Sequence, residues 1–179
     1  MRSGAGRDKI CAIPGNRRRV SGPGQWYPAG MKTILVPVDF SAVSGKVIET
    51  ARALAGAFRA RVTLLHVIQP PVIGTGEYAL PTEVVEEAMK STREDARRKL
   101  DALSEVFQQA GLACTITDAV GSPERAILES ATQVEADCIV MGSHGHGKLY
   151  DFLVGSTASG VLKHAQCAVL IVPPADRQA

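Results

Sequence analysis

From residue 32 onward the chain alternates between two apolar patterns. Four short unbroken runs, Thr33 to Val38, Val62 to Ile68, Cys138 to Met141 and Ala168 to Val172, have no polar face and predict strands buried on both sides. A fifth run, Ala113 to Val120, alternates and is only weakly apolar, as an edge strand would be. Between these lie stretches with helical spacing. Val43, Val47, Ile48, Ala51, Leu54 and Phe58 mark one helix, with Ser41 as its expected N-cap and Arg59 near its end. Val85, Met89, Ala96, Leu100, Leu103, Phe107 and Ala110 mark a long second one, entered after a Pro/Gly loop through Pro81 and stopped by Gly111. Ser122 and Pro123 open a third, because proline suits the first helical position, and Ser156 to about His164 predicts a short fourth.

Strands alternating with amphipathic helices predict one doubly wound, Rossmann-like α/β domain. Its five-stranded parallel sheet carries helices on both faces, joined by right-handed crossovers. Ligands of such sheets lie beyond the carboxyl ends of the strands, where the strand order reverses. That rule directs attention to Asp39, Val67 and the segment after Met141.

Composition changes the picture mainly at the N-terminus. Residues 1–30 hold six of the 17 glycines and three of the ten prolines, with no hydrophobic period. They also carry Arg2, Arg7, Lys9, Arg17, Arg18 and Arg19 against Asp8 alone, a charge of 6 − 1 = +5, so that the whole-chain value of +2 leaves 2 − 5 = −3 for the rest. A segment of this kind has too little to bury to offset its ordering entropy. The domain is therefore expected over residues 31–174, beginning at Met31, with a short tail at 175–179. The leader reads as a misread start, a disordered extension or a targeting peptide. Because the excess basic charge belongs to the leader and not to a folded face, no nucleic-acid binding is expected. No apolar run approaches the roughly 20 residues that span a bilayer, so no membrane partner is expected either. The four cysteines are far apart without a C-x-x-C pair, which suggests neither a zinc site nor a disulfide framework and fits a reducing cytoplasm.

The chemistry concentrates in Met141-Gly142-Ser143-His144-Gly145-His146-Gly147-Lys148, three glycines within six residues directly after a buried strand. Glycine there lets backbone amides approach a ligand closely. Gly155-Ser156 then opens a helix whose free N–H groups and dipole favour an anion, with the Ser156 hydroxyl as a further donor. Two amide clusters could grip one polyphosphate; a plain glycine loop followed by a serine cap is the alternative. Gly142 to Lys148 also fits the start of a Walker A loop, but Leu149 stands where magnesium would need Ser or Thr, and the helix comes too late. His144 and His146 lack a third metal ligand.

Gly142-x2-Gly145-x9-Gly155-Ser156 resembles, position for position, the G-x2-G-x9-G-(S/T) signature of ATP-binding universal stress proteins. The resemblance extends to Ile34-Leu35-Val36-Pro37-Val38-Asp39-Phe40-Ser41, to Leu64-Leu65-His66-Val67 and to His164 through Pro173, and so covers about residues 31–174. Gln166 and Ala168 depart from it, replacing prolines common in the family. It implies a homodimer joined through the last strand and a site for ATP, with magnesium held mainly by the phosphates. In that site Met141, Gly142, Ser143, His144, Gly145, Gly155, Ser156 and Thr157 would surround the phosphates, and Pro37, Val38, Asp39 and Val67 would meet adenine and ribose. For Asp39 a turn or capping carboxylate remains the plainer alternative. A nucleotide-gated regulator with slow or no hydrolysis is the leading expectation, since nothing resembles a catalytic base. A nucleotide-free dimeric scaffold and an adenylating enzyme of the same superfold are the competitors; the latter would carry H-x-G-H or S-G-G-x-D-S after the first strand, where Asp39-Phe40-Ser41-Ala42 stands.

Overall fold

The computed structural model describes residues 30–70, 82–143 and 154–174. Their elements run β1 (Thr33–Pro37), α1 (Ser44–Phe58), β2 (Arg61–Ile68), α2 (Thr82–Gln109), β3 (Cys114–Val120), α3 (Pro123–Gln133), β4 (Cys138–Gly142), α4 (Ser156–His164) and β5 (Ala168–Val172). All pairings are parallel and the strand order is β3-β2-β1-β4-β5, so β1 is central and the order reverses between β1 and β4. The weakly apolar β3 is an edge, as its alternation predicts, and β5 is the other.

The unbroken apolar strands feed two cores. Ile34, Val36, Val62, Leu64 and Val140 project to one face, where Val47, Ile48, Ala51 and Ala55 of α1 and Leu100 and Phe107 of α2 cover them. Leu35, Leu65, Ile139 and Met141 project to the other, under Ile127 and Ala131 of α3 and Ala158 and Val161 of α4. Each fully buried side chain of this size contributes about 1.5–3 kcal/mol, so helices on both faces are what the sheet requires. α3 and α4 are tied further by His164, whose Nδ1–H donates to Glu124 Oε1 at 3.1 Å. Gly160 leaves room for that carboxylate, which a Cβ there would strike.

The helix starts differ from the sequence reading. Ser41 does not cap α1: the helix begins at Ser44 with Val43 as N-cap and no side-chain cap bond. The Asp39 carboxylate instead braces the turn before the helix, accepting the Ser41 N–H at 3.0 Å and the Ser44 Oγ–H at 3.3 Å. Ser122 does stand at the N-cap of α3 with Pro123 following, but makes no side-chain bond. Phe58, assigned to the buried face of α1, is 41% exposed, because α1 ends there and Arg59 turns away in a left-handed conformation. In α2 burial starts only at Ala96; Val85 and Met89 are half-buried, and Ala110 is exposed.

Candidate functional site

The carboxyl end of β1 carries the first half of the site. The β1–β2 register pairs Pro37 with Leu65, and carrying that offset on puts Asp39 level with Val67. The β1–β4 register pairs Leu35 with Ile139, which puts Pro37 level with Met141. Pro37, Asp39 and Val67 are half-buried, while Val38 and Met141 are buried. An apolar floor with one carboxylate beside it thus lies at the reversal of strand order, the place where an open parallel sheet forms a crevice. Asp39 Oδ1 is engaged in the turn toward α1, as the turn-carboxylate alternative expects.

Sequence reasoning missed the neighbours of Asp39. Phe40 is one of three non-glycine residues with positive φ among the described residues, at 60°. Backbone of this kind costs about 1–3 kcal/mol and clusters at functional turns. Its ring lies 4.5 Å from that of His66, tilted by 33°, and the Lys99 ammonium sits 5.1 Å from its centroid. Ser41 Oγ is buried without a hydrogen-bond partner among the described residues; such a hydroxyl is uncommon and is normally completed by water or a bound group. Neither feature has a signal in residue order, since both arise where separate segments meet.

The second half lies at the end of β4. Ser143 is buried; its N–H donates to Val172 O at 2.9 Å, which anchors it to β5, and its carbonyl accepts the Gly155 N–H at 2.8 Å. That single bond draws the N-terminus of α4 against the carboxyl end of β4. Gly155 is the N-cap, in an extended conformation with no side-chain cap, and the first turn of α4 contains no acidic residue. Its leading N–H groups, from exposed Ser156 and half-buried Thr157, are therefore unopposed by any carboxylate of the same turn, and Lys163 and His164 at the other end complement the helix dipole. Gly142 ends β4, half-buried. His144 and Gly145 lie outside the described residues, as does the Walker-like stretch to Lys148. Among the described residues no group of three or more His, Cys, Asp or Glu could hold a metal ion, and no helix is long and apolar enough to cross a membrane.

The three cysteines among the described residues, Cys114, Cys138 and Cys167, carry shifted thiols. Burial pushes the Cys138 thiol up to about 11, helped by the neighbouring Cys167 and Asp137, and pushes Cys114 to about 11 as well. Cys167 is raised too, by burial first and Asp137 second. Neutral thiols of this kind are poor nucleophiles and poor metal ligands.

The fold is that of a doubly wound α/β protein whose strand order reverses between β1 and β4. Within that class the chain belongs to the universal stress protein family, whose sequence model matches residues 30–173. Universal stress protein Sll1388 of Synechocystis is 31% identical over 153 residues, covering 80% of this chain and 98% of that protein. The solved structure of MJ0577 from Methanocaldococcus jannaschii superposes with a TM-score of 0.71 at 29% identity, covering 83% of this chain and 99% of that one. A universal stress protein solved in complex with cAMP shares the fold at 22% identity, with a TM-score of 0.62 over 82% of this chain and all of that one.

Proposed function

We propose that the chain binds ATP, with magnesium carried mainly by the phosphates, and acts in the cytoplasm as a homodimeric, nucleotide-gated regulator that turns ATP over slowly or not at all. The observation that carries this reading is the 2.8 Å bond from Gly155 N–H to Ser143 O. It sets an uncapped, acid-free helix N-terminus beside the strand end from which the glycine segment departs, and those two amide sources are what a polyphosphate needs. In this proposal Gly142, Ser143, His144, Gly145, Gly155, Ser156 and Thr157 hold the phosphates beside Met141. Pro37, Val38, Asp39 and Val67 take the adenosine. The ribose hydroxyls are natural donors to a carboxylate, and the apolar floor suits the purine face. That a protein of the same fold was solved with cAMP is in keeping with an adenine site.

Identifying what the purified protein releases on denaturation tests the proposal. Adenine nucleotide in near-stoichiometric amount supports it. Absence of nucleotide, together with no uptake of labelled ATP in equilibrium dialysis, leaves a nucleotide-free scaffold. Rapid formation of an adenylated or hydrolysed product would instead make the protein an enzyme.

A further inference from the structure

The ladder between β1 and β2 follows one parity. At its start Arg61 N–H donates to Lys32 O at 2.9 Å, and at its far end Val38 N–H donates to Leu65 O at 2.8 Å, so odd-numbered residues of β2 face β1. In a parallel pair that alternation makes Val67 N–H to Val38 O the next bond, and Phe40 N–H to Val67 O the one after. Neither forms. The Val38 carbonyl is bonded instead to His66 Nδ1 at 2.8 Å. Since a carbonyl oxygen can only accept, Nδ1 carries the proton. The imidazole is held against Phe40, whose left-handed backbone takes the chain away from β2. Among the described residues no other hydrogen-bond partner takes the Val67 N–H.

We infer that His66 is a positioning residue of the base subsite: by drawing the Val38 carbonyl toward its Nδ1–H, where Phe40 turns the chain away, it ends the ladder early and leaves the Val67 N–H and C=O to read an adenine edge. The inference rests on the nucleotide reading above. The N–H and C=O of one strand residue point the same way, as a donor beside an acceptor. Adenine offers the complement, an N1 acceptor beside an exocyclic amino donor. Hypoxanthine and guanine offer an N1–H donor beside an O6 acceptor and meet donor with donor. His66 itself need not touch the base; it acts through Val38.

Two measurements test this. In the nucleotide-free protein, amide hydrogen exchange at Val67 is expected to be about a hundredfold or more faster than at Leu65, which lies inside the ladder, and to slow on adding Mg-ATP. For base selectivity, His66→Asn keeps an N–H donor where Nδ1 stands, and His66→Phe keeps the ring contact without the donor. The native protein and His66→Asn should prefer ATP over ITP by on the order of tenfold, the worth of about one to two hydrogen bonds. His66→Phe should bind the two triphosphates about equally. Val67 protected as strongly as Leu65 in the free protein, or His66→Phe with undiminished preference, would overturn the role of His66. A native protein that binds neither triphosphate would overturn the nucleotide reading instead, and Val67 exchange in His66→Phe, slowed to the rate of Leu65 only if His66 ends the ladder, would still decide the role of His66. Should His66→Phe not fold, His66→Leu, which also lacks the donor, takes its place.

Discussion

At the scale of single residues, the glycines and serine at the β4–α4 junction carry the proposed phosphate contacts, and their substitution separates binding from folding. Gly145→Val places a Cβ where backbone amides must approach an anion, and Mg-ATP affinity should fall at least about tenfold with the melting temperature within a few degrees of native. Calorimetric titration reads this, and unchanged affinity would remove Gly145 from the site. Ser156→Ala is milder, losing about 1 kcal/mol or roughly fivefold in affinity, because a single hydroxyl donor is removed from an exposed position. The thiols give a prediction of a different kind. With Cys138 and Cys114 pushed from 9.0 to about 11, the folded protein holds more protons than the unfolded chain between those values. Their contribution to stability is thus fully present below pH 9 and is lost as pH rises toward 11. Urea midpoints measured across that range should fall, and Cys138→Ser should flatten the decline; a midpoint constant to pH 11 would contradict it.

Much at this scale was legible in the residues themselves. Asp39 and Val67 were reachable because apolar runs end there and a parallel sheet collects its strand ends in one place. His66 and Phe40 were not. A histidine inside a β-branched run looks like any half-buried strand residue, and only the approach of β1 to β2 brings its Nδ1 to the Val38 carbonyl. Ser41 was misread as a helix cap for a related reason: Asp39, two residues earlier, competes for the same turn and takes the Ser41 N–H.

At the scale of elements, period and length decided nearly everything. α4 and β5 run over the residues that their patterns predict, and the other strands agree within a residue at each end. The patterns failed where an element extends past the sheet. The first turns of α2 have the apolar spacing of a buried helix, yet Val85 and Met89 there are only half-buried, since burial depends on what lies opposite. β5 raises the question of assembly. Among the described residues it is an edge strand, with Leu170 37% exposed on it and Leu162 47% exposed on the preceding helix. Such an edge invites pairing. Light scattering at micromolar concentration should therefore report a dimer, and Leu170→Lys should shift it toward monomer with unchanged circular dichroism. A native monomer would end the proposal of assembly through β5.

At the scale of the whole molecule, the two cores join five strands and four helices into a frame that fixes the ends of β1 and β4 side by side. The composition of residues 1–30 offers little to bury, and the domain is proposed to begin at Met31. A chain beginning at Met31 should keep its Mg-ATP affinity within about threefold of the full chain. A loss beyond about tenfold, or roughly 1.4 kcal/mol, would bring Arg17, Arg18 and Arg19 into the site. The central claim, that the junction held by Ser143 and Gly155 binds the phosphates of ATP, is tested most directly by titrating nucleotide-stripped protein with Mg-ATP in a calorimeter. The account predicts saturable binding of one ATP per chain. Absence of binding by folded, stripped protein would contradict it.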